Sequence, residues 1–75
     1  MKQSIREIFP GIIVGNESEV IANRFTGEEI LLTAEEVAVY DLSLGAELIQ
    51  DYKTVEKCID WFIENNSAAY MTLLD

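Results

Sequence analysis

Few residues in this chain could carry out chemistry. Cys58 is its one thiol, and there is no histidine. A reactive cysteine needs an electropositive, partly open setting that favours the thiolate, and a base. Here only Lys57 stands beside it, and Cys58 falls within the apolar helical pattern Val55, Cys58, Ile59, Phe62, Ile63. It therefore reads as a small buried hydrophobe. Without histidine there is no Ser-His-Asp or Cys-His relay, and a zinc site loses its usual ligands. Paired carboxylates stand at Glu28-Glu29 and Glu35-Glu36. Glycosidase-type acid–base work needs two carboxyls flanking a cleft that admits a sugar, which a chain of 75 residues can hardly wall. Gly11, Gly15 and Gly27 are not followed by the Gly-Lys-Ser/Thr of a phosphate loop. The expectation is a protein that is not an enzyme, with no cofactor and no metal.

One acidic arrangement is regular. Glu56, Asp60 and Glu64 are four apart and share a helix face. Calcium sites use a loop with spaced oxygen ligands and a turn glycine instead, so this row reads as a solvated face or a docking surface for a basic partner. Trp61 lies to one side of the Ile59, Phe62, Ile63 stripe. It suits core packing or an interface, where aromatic residues are enriched.

The elements that must position these residues follow from local signals. Ser4 and Glu7 read as a capping box for a short helix with Ile5, Ile8 and Phe9 on one face, closed by Pro10 and Gly11. Ile12-Ile13-Val14 reads as an edge strand or an extended anchor. Residues 20–33 read as a hairpin turning at Thr26-Gly27. A two-residue loop sets Ile21 against Leu32, Ala22 against Leu31 and Arg24 against Glu29, with Ile21, Phe25, Ile30 and Leu32 on one face. Such a hairpin is marginal alone and must pack on something.

Thr33 and Glu36 form a second capping box, opening a helix that runs to about Gln50. Val37, Tyr40, Leu44 and Leu48 make its core stripe, with Ala38, Leu42 and Ile49 beside them. Gly45 marks a close backbone approach or a weak point. Thr54 caps a further helix. Asn65-Asn66 ends it, Ser67 starts a last one, and the apolar tail with Tyr70, Met71, Leu73 and Leu74 must dock on the domain or on another chain. Strands followed by helices argue α+β in a single domain of residues 1–75: a short N-terminal helix, one β-hairpin, then two to three C-terminal helices.

Charge narrows the partners. Fourteen acids face five basic residues, a net −9. Lys2, Arg6, Arg24, Lys53 and Lys57 are scattered, so the clustered cations that neutralise phosphates are missing and direct nucleic-acid binding is not expected. The same field repels anionic membranes, and the apolar runs are too short to span a bilayer. Charges near Met1 exclude a signal-peptide pattern, and a lone thiol suits a reducing compartment; the expected location is cytoplasmic. The excess charge either keeps the chain soluble or faces a basic partner.

Size supplies the remaining argument. A lone core this small rarely yields more than ~3–5 kcal/mol without a staple. One cysteine allows no internal disulfide, yet 49% of the residues are hydrophobic. A core shared between two copies fits that surplus, which makes a homodimer the expectation. Its candidate interface is Ile21, Phe25, Leu31, Tyr40, Leu44, Leu48, Trp61 and Tyr70.

The stretches from Phe25 to Glu29, Leu32 to Asp41, Asp60 to Asn66 and Ala69 to Asp75 resemble small uncharacterised proteins encoded by marine tailed phages, cyanophages among them. The shared features are caps, a turn and core helices, over roughly the last two-thirds of the chain. The resemblance implies synthesis in an infected bacterium and action on a host protein, in the host cytoplasm; it implies no catalytic residues. An acidic mimic of nucleic acid, occupying the groove of a host enzyme, is the alternative that the −9 charge supports. A small enzyme or metal-dependent regulator is the third.

Overall fold

In the computed structural model, which describes residues 4–74, the chain runs α1 (Ile5–Ile8), β1 (Glu19–Ala22), β2 (Glu29–Leu32), α2 (Ala34–Leu48), α3 (Tyr52–Asn65), α4 (Ser67–Ala69) and a π-helical segment, Tyr70–Leu74. The architecture is α+β: one antiparallel hairpin among helices. The helix count departs from expectation, because the first helix is a single turn and the last stretch divides into a three-residue turn and the π-helical segment. Met1, Lys2 and Asp75 lie outside the described residues, so the expectations placed on the chain start, on Lys2 and on Asp75 do too.

Ser4 caps α1, but its Oγ accepts from the Arg6 N–H (3.3 Å), while the Glu7 N–H donates to the Ser4 carbonyl (2.9 Å). Ile5 and Phe9 are buried, and the Lys57 ammonium on α3 fixes the turn by donating to the Ile8 carbonyl at 2.7 Å. Ile12 and Val14 then pack on the core while Ile13 points outward. The run is an extended anchor, not a strand.

The hairpin forms in a register two residues from the expected one: Ile21 opposes Ile30, Val20 opposes Leu31, and Ala22 opposes Glu29. Asn23 causes this. Its Oδ1 accepts from the Phe25 and Thr26 N–H groups (2.7 and 3.1 Å), and its backbone N–H donates to the Glu28 carbonyl (2.7 Å), so residues 24–27 form the loop. An asparagine side chain that bonds the backbone two residues on is a turn in itself. A shift of two preserves the alternation of faces. Ile21, Ile30 and Leu32 therefore still point inward, but Phe25 leaves the strand and the Arg24–Glu29 pair does not form.

Thr33 and Glu36 make the expected capping box on α2, with Thr33 N–H to Glu36 Oε1 at 2.9 Å and Glu36 N–H to Thr33 Oγ at 3.3 Å. The buried face of α2 is Ala38, Val39, Tyr40, Ser43 and Ala46, rotated from the Val37–Tyr40–Leu44–Leu48 stripe. Val37 and Leu44 are half-buried and Leu48 is 85% exposed. Apolar residues surround so much of this helix that periodicity admits several faces; small Ser43 and Ala46 occupy the one that is covered. Ser43 Oγ donates to the Tyr40 carbonyl at 2.6 Å, so its burial strands no polar atom.

Gln50, at φ 60°, turns the chain after α2. Asp51, not Thr54, caps α3: Asp51 accepts from the Thr54 N–H (3.3 Å) and the Thr54 hydroxyl (2.7 Å). α4 starts at Ser67, as expected, and Asn66 caps it, with its Oδ1 accepting from the Ala69 N–H (3.1 Å). The tail docks on this same chain, where Asn23 Nδ2 donates to the Thr72 carbonyl at 2.8 Å. Phe62, Leu32, Val39 and Cys58 are the fully buried centre of the core, with Ile5, Phe9, Tyr40 and Ala69 around them.

Candidate interaction surface

The surface that stands out begins at the hairpin tip. The Asn23 turn pushes Arg24 and Phe25 out of the ladder. Arg24 reaches across to Glu47 near the end of α2 (3.8 Å) and lies 5.1 Å from the centre of the Phe25 ring. Both members of the ion pair are exposed, so it positions the tip more than it stabilises the fold. Asp51 places Tyr52 in the first turn of α3, facing the last turn of α2 across the Gln50 bend. Between tip and bend lies an open groove of about 440 Å³, lined by Arg24, Leu44, Glu47, Leu48, Gln50 and Tyr52. Phe25 (84% exposed), Leu48 (85%) and Tyr52 (59%) are among the most open large apolar side chains described.

The expected interface residues divide. Phe25, Leu31 and Leu48 are exposed, and Leu44 is half-buried in the groove wall. Tyr40 is buried, so its expected place at a surface is corrected to the core. Ile21, Trp61 and Tyr70 are half-buried against that core. Trp61 meets Phe62 edge to face, with ring centres 5.1 Å apart. Its position reflects packing between neighbouring residues on α3. Tyr52 lies outside the expected interface because a cap at Thr54 leaves it before the helix; the spacing Asp51-x-x-Thr54 is the signal that places it in the first turn. The expected interface also omits Val20, which lies exposed opposite Leu31 on the outer face of the hairpin.

The residues capable of chemistry are spread apart. Cys58 is fully buried, and that burial pushes its thiol up to about 11, the opposite of what a nucleophile requires. Asp51 is held below the usual carboxylate range by its hydrogen bonds from the Thr54 side chain and backbone. Glu36 is a structural bridge: one carboxylate oxygen closes the α2 cap and the other accepts from Asn66 Nδ2 at 2.8 Å. Glu56, Asp60 and Glu64 are exposed along α3. Among the described residues no group of three potential ligands could hold a metal ion. Among the described residues no helix is long and apolar enough to cross a membrane. No family model matches the chain, no curated protein matches its sequence, and no solved structure matches its fold.

Proposed function

We propose that this protein is a non-enzymatic interaction module that self-associates as a homodimer through the groove between the hairpin tip and the α2–α3 bend. The carrying observation is that one chain presents both an exposed aromatic knob, Phe25, and, next to it in sequence through Arg24, a groove whose apolar lining is Leu44, Leu48 and Tyr52. A two-fold interface is self-complementary, each patch meeting its own copy. Knob and groove on one chain suit that symmetry, with each Phe25 entering the partner's groove.

The likeness to phage-encoded proteins supports a host protein as a further partner and the host cytoplasm as the place of action. The nucleic-acid mimic has less support. It requires carboxylates in one phosphate-like row, whereas the described acids are carried by α1, the hairpin, α2 and α3 alike.

Sedimentation velocity across the micromolar range tests the dimer. The wild-type weight-average mass rises toward twice that of the chain, while Phe25→Ala and Leu48→Glu remain monomeric with unchanged far-UV circular dichroism. A wild-type protein that stays monomeric throughout overturns the reading.

A further inference from the structure

A different face points to a second binding site. Directly opposed pairs in an antiparallel ladder alternate between hydrogen-bonded and non-bonded. The Asn23 N–H donates to the Glu28 carbonyl, so the bonded pairs are Asn23–Glu28, Ile21–Ile30 and Glu19–Leu32 in the observed register. Glu29 and Leu31 therefore turn both their N–H and C=O groups away from β1. Among the described residues no backbone or side-chain group takes up those four positions. Both residues are exposed, Leu31 at 63%. A row of unpaired groups on an edge strand is a template for another strand.

We propose that the free edge of β2 accepts a basic, extended peptide segment of a partner protein as a third strand. Charge selects this occupant. Glu28 and Glu29 stand in tandem at the edge and are exposed, and Glu19 is exposed on the neighbouring strand. The hairpin's cation, Arg24, is already engaged with Glu47. A second copy of this chain would set these acids against their own kind, and like charges across strands are destabilising. A segment alternating lysine or arginine with β-branched residues sets its cations on the face of Glu28 and its apolar side chains on the outer face beside Leu31. Main-chain bonds would give affinity and alternate side chains specificity, as in other strand-addition modes. β2 is favoured over β1 because the tandem acids Glu28 and Glu29 stand on its side of the hairpin. The site does not depend on the dimer, since it uses a different face.

The test uses the full chain, ¹⁵N-labelled, and a capped seven-residue peptide alternating lysine and valine. The expected result is perturbation and slowed exchange of the Glu29 and Leu31 amides, with affinity falling at least tenfold between low and half-molar salt. A glutamate–valine peptide should not bind, nor should the lysine–valine peptide methylated on its edge-facing amide nitrogens. Leu31→Pro removes an outward N–H without touching a hairpin hydrogen bond and should abolish binding, while Val20→Pro retains it. If Leu31→Pro fails to fold, the methylated peptide against the wild-type chain decides. The proposal is overturned by no perturbation at millimolar peptide, by equal binding of the acidic peptide, by indifference to methylation, or by protection at Val20 and Ala22 instead. Protection of Glu29 and Leu31 that appears with rising protein concentration and no peptide would assign the edge to a second copy and overturn it as well.

Discussion

The two ends of α2 are built from similar residues and have different fates. At the N-terminal end Thr33 and Glu36 satisfy the cap, Asn66 ties Glu36 to the end of α3, and Ala38, Val39 and Tyr40 are buried. At the C-terminal end no basic residue offsets the helix dipole, Leu48 and Ile49 are 85% and 75% exposed, and a residue at positive φ turns the chain away. Apolar side chains at the first end are covered by this chain's own α1, hairpin and α3. At the second end Ala46 is still buried and Leu44 half-buried, but Leu48 and Ile49 have no such cover. The difference teaches that hydrophobic content along one helix is not a measure of core: half of it supports the fold, and the rest is surface available to a partner.

That contrast can be broken at several points. The largest effect belongs to the packed end: Phe62→Ala, at a fully buried ring, should lower unfolding free energy by ~3–5 kcal/mol in urea titration. Loss of less than about 1 kcal/mol would mean that the core is not where it is drawn.

Next comes alkaline pH. The folded Cys58 thiol titrates near 11 and an ordinary one at 9.0. Between those values the native state holds the proton that the unfolded state releases, so stability is complete below pH 9 and declines as pH rises through 11. The decline is at most about 2–3 kcal/mol at 1.36 kcal/mol per pH unit. It is read as a difference in slope between the wild-type protein and Cys58→Ala.

Glu36→Ala removes a cap bond and the Asn66 bond together, and should cost ~1–2 kcal/mol by thermal melting. At the open end the signs reverse or vanish. Nothing lies within 4 Å of the Cβ position at exposed Gly45, so Gly45→Ala should stabilise by ~0.5–1 kcal/mol; destabilisation would reveal a close approach there. Leu48→Ala, measured on dilute protein, should change stability by less than ~0.5 kcal/mol. A larger loss would place Leu48 in the core and remove the contrast altogether.

Much of the fold was readable residue by residue where the determining interaction is local. The Thr33–Glu36 capping box, the Pro10 stop, the burial of Cys58 and the inward face of Ile21, Ile30 and Leu32 all depend on neighbours within a few positions or on strict alternation. The misses share a cause. Two side chains, those of Asn23 and Asp51, supply turn and cap bonds that the expectation places three residues further on, at Thr26-Gly27 and Thr54. For the candidate surface, Phe25, Leu44 and Leu48 were visible as apolar excess, but Tyr40 proved internal and Tyr52 was missed. Exposure depends on which face of a broadly apolar helix the rest of the chain happens to cover.

Composition and short-range pattern by themselves determined an acidic α+β chain, the starts of α1, α2 and α4, the presence of a hairpin and an apolar surplus, because caps, turns and alternation are energies between near neighbours. Tertiary structure alone decided which of that surplus is hidden: α3, the hairpin and the anchor at Ile12 cover one side of α2 and leave Leu48 uncovered. It also decided that Arg24 meets Glu47 instead of Glu29. Both outcomes depend on contacts between residues far apart in the chain, whose geometry no local preference encodes.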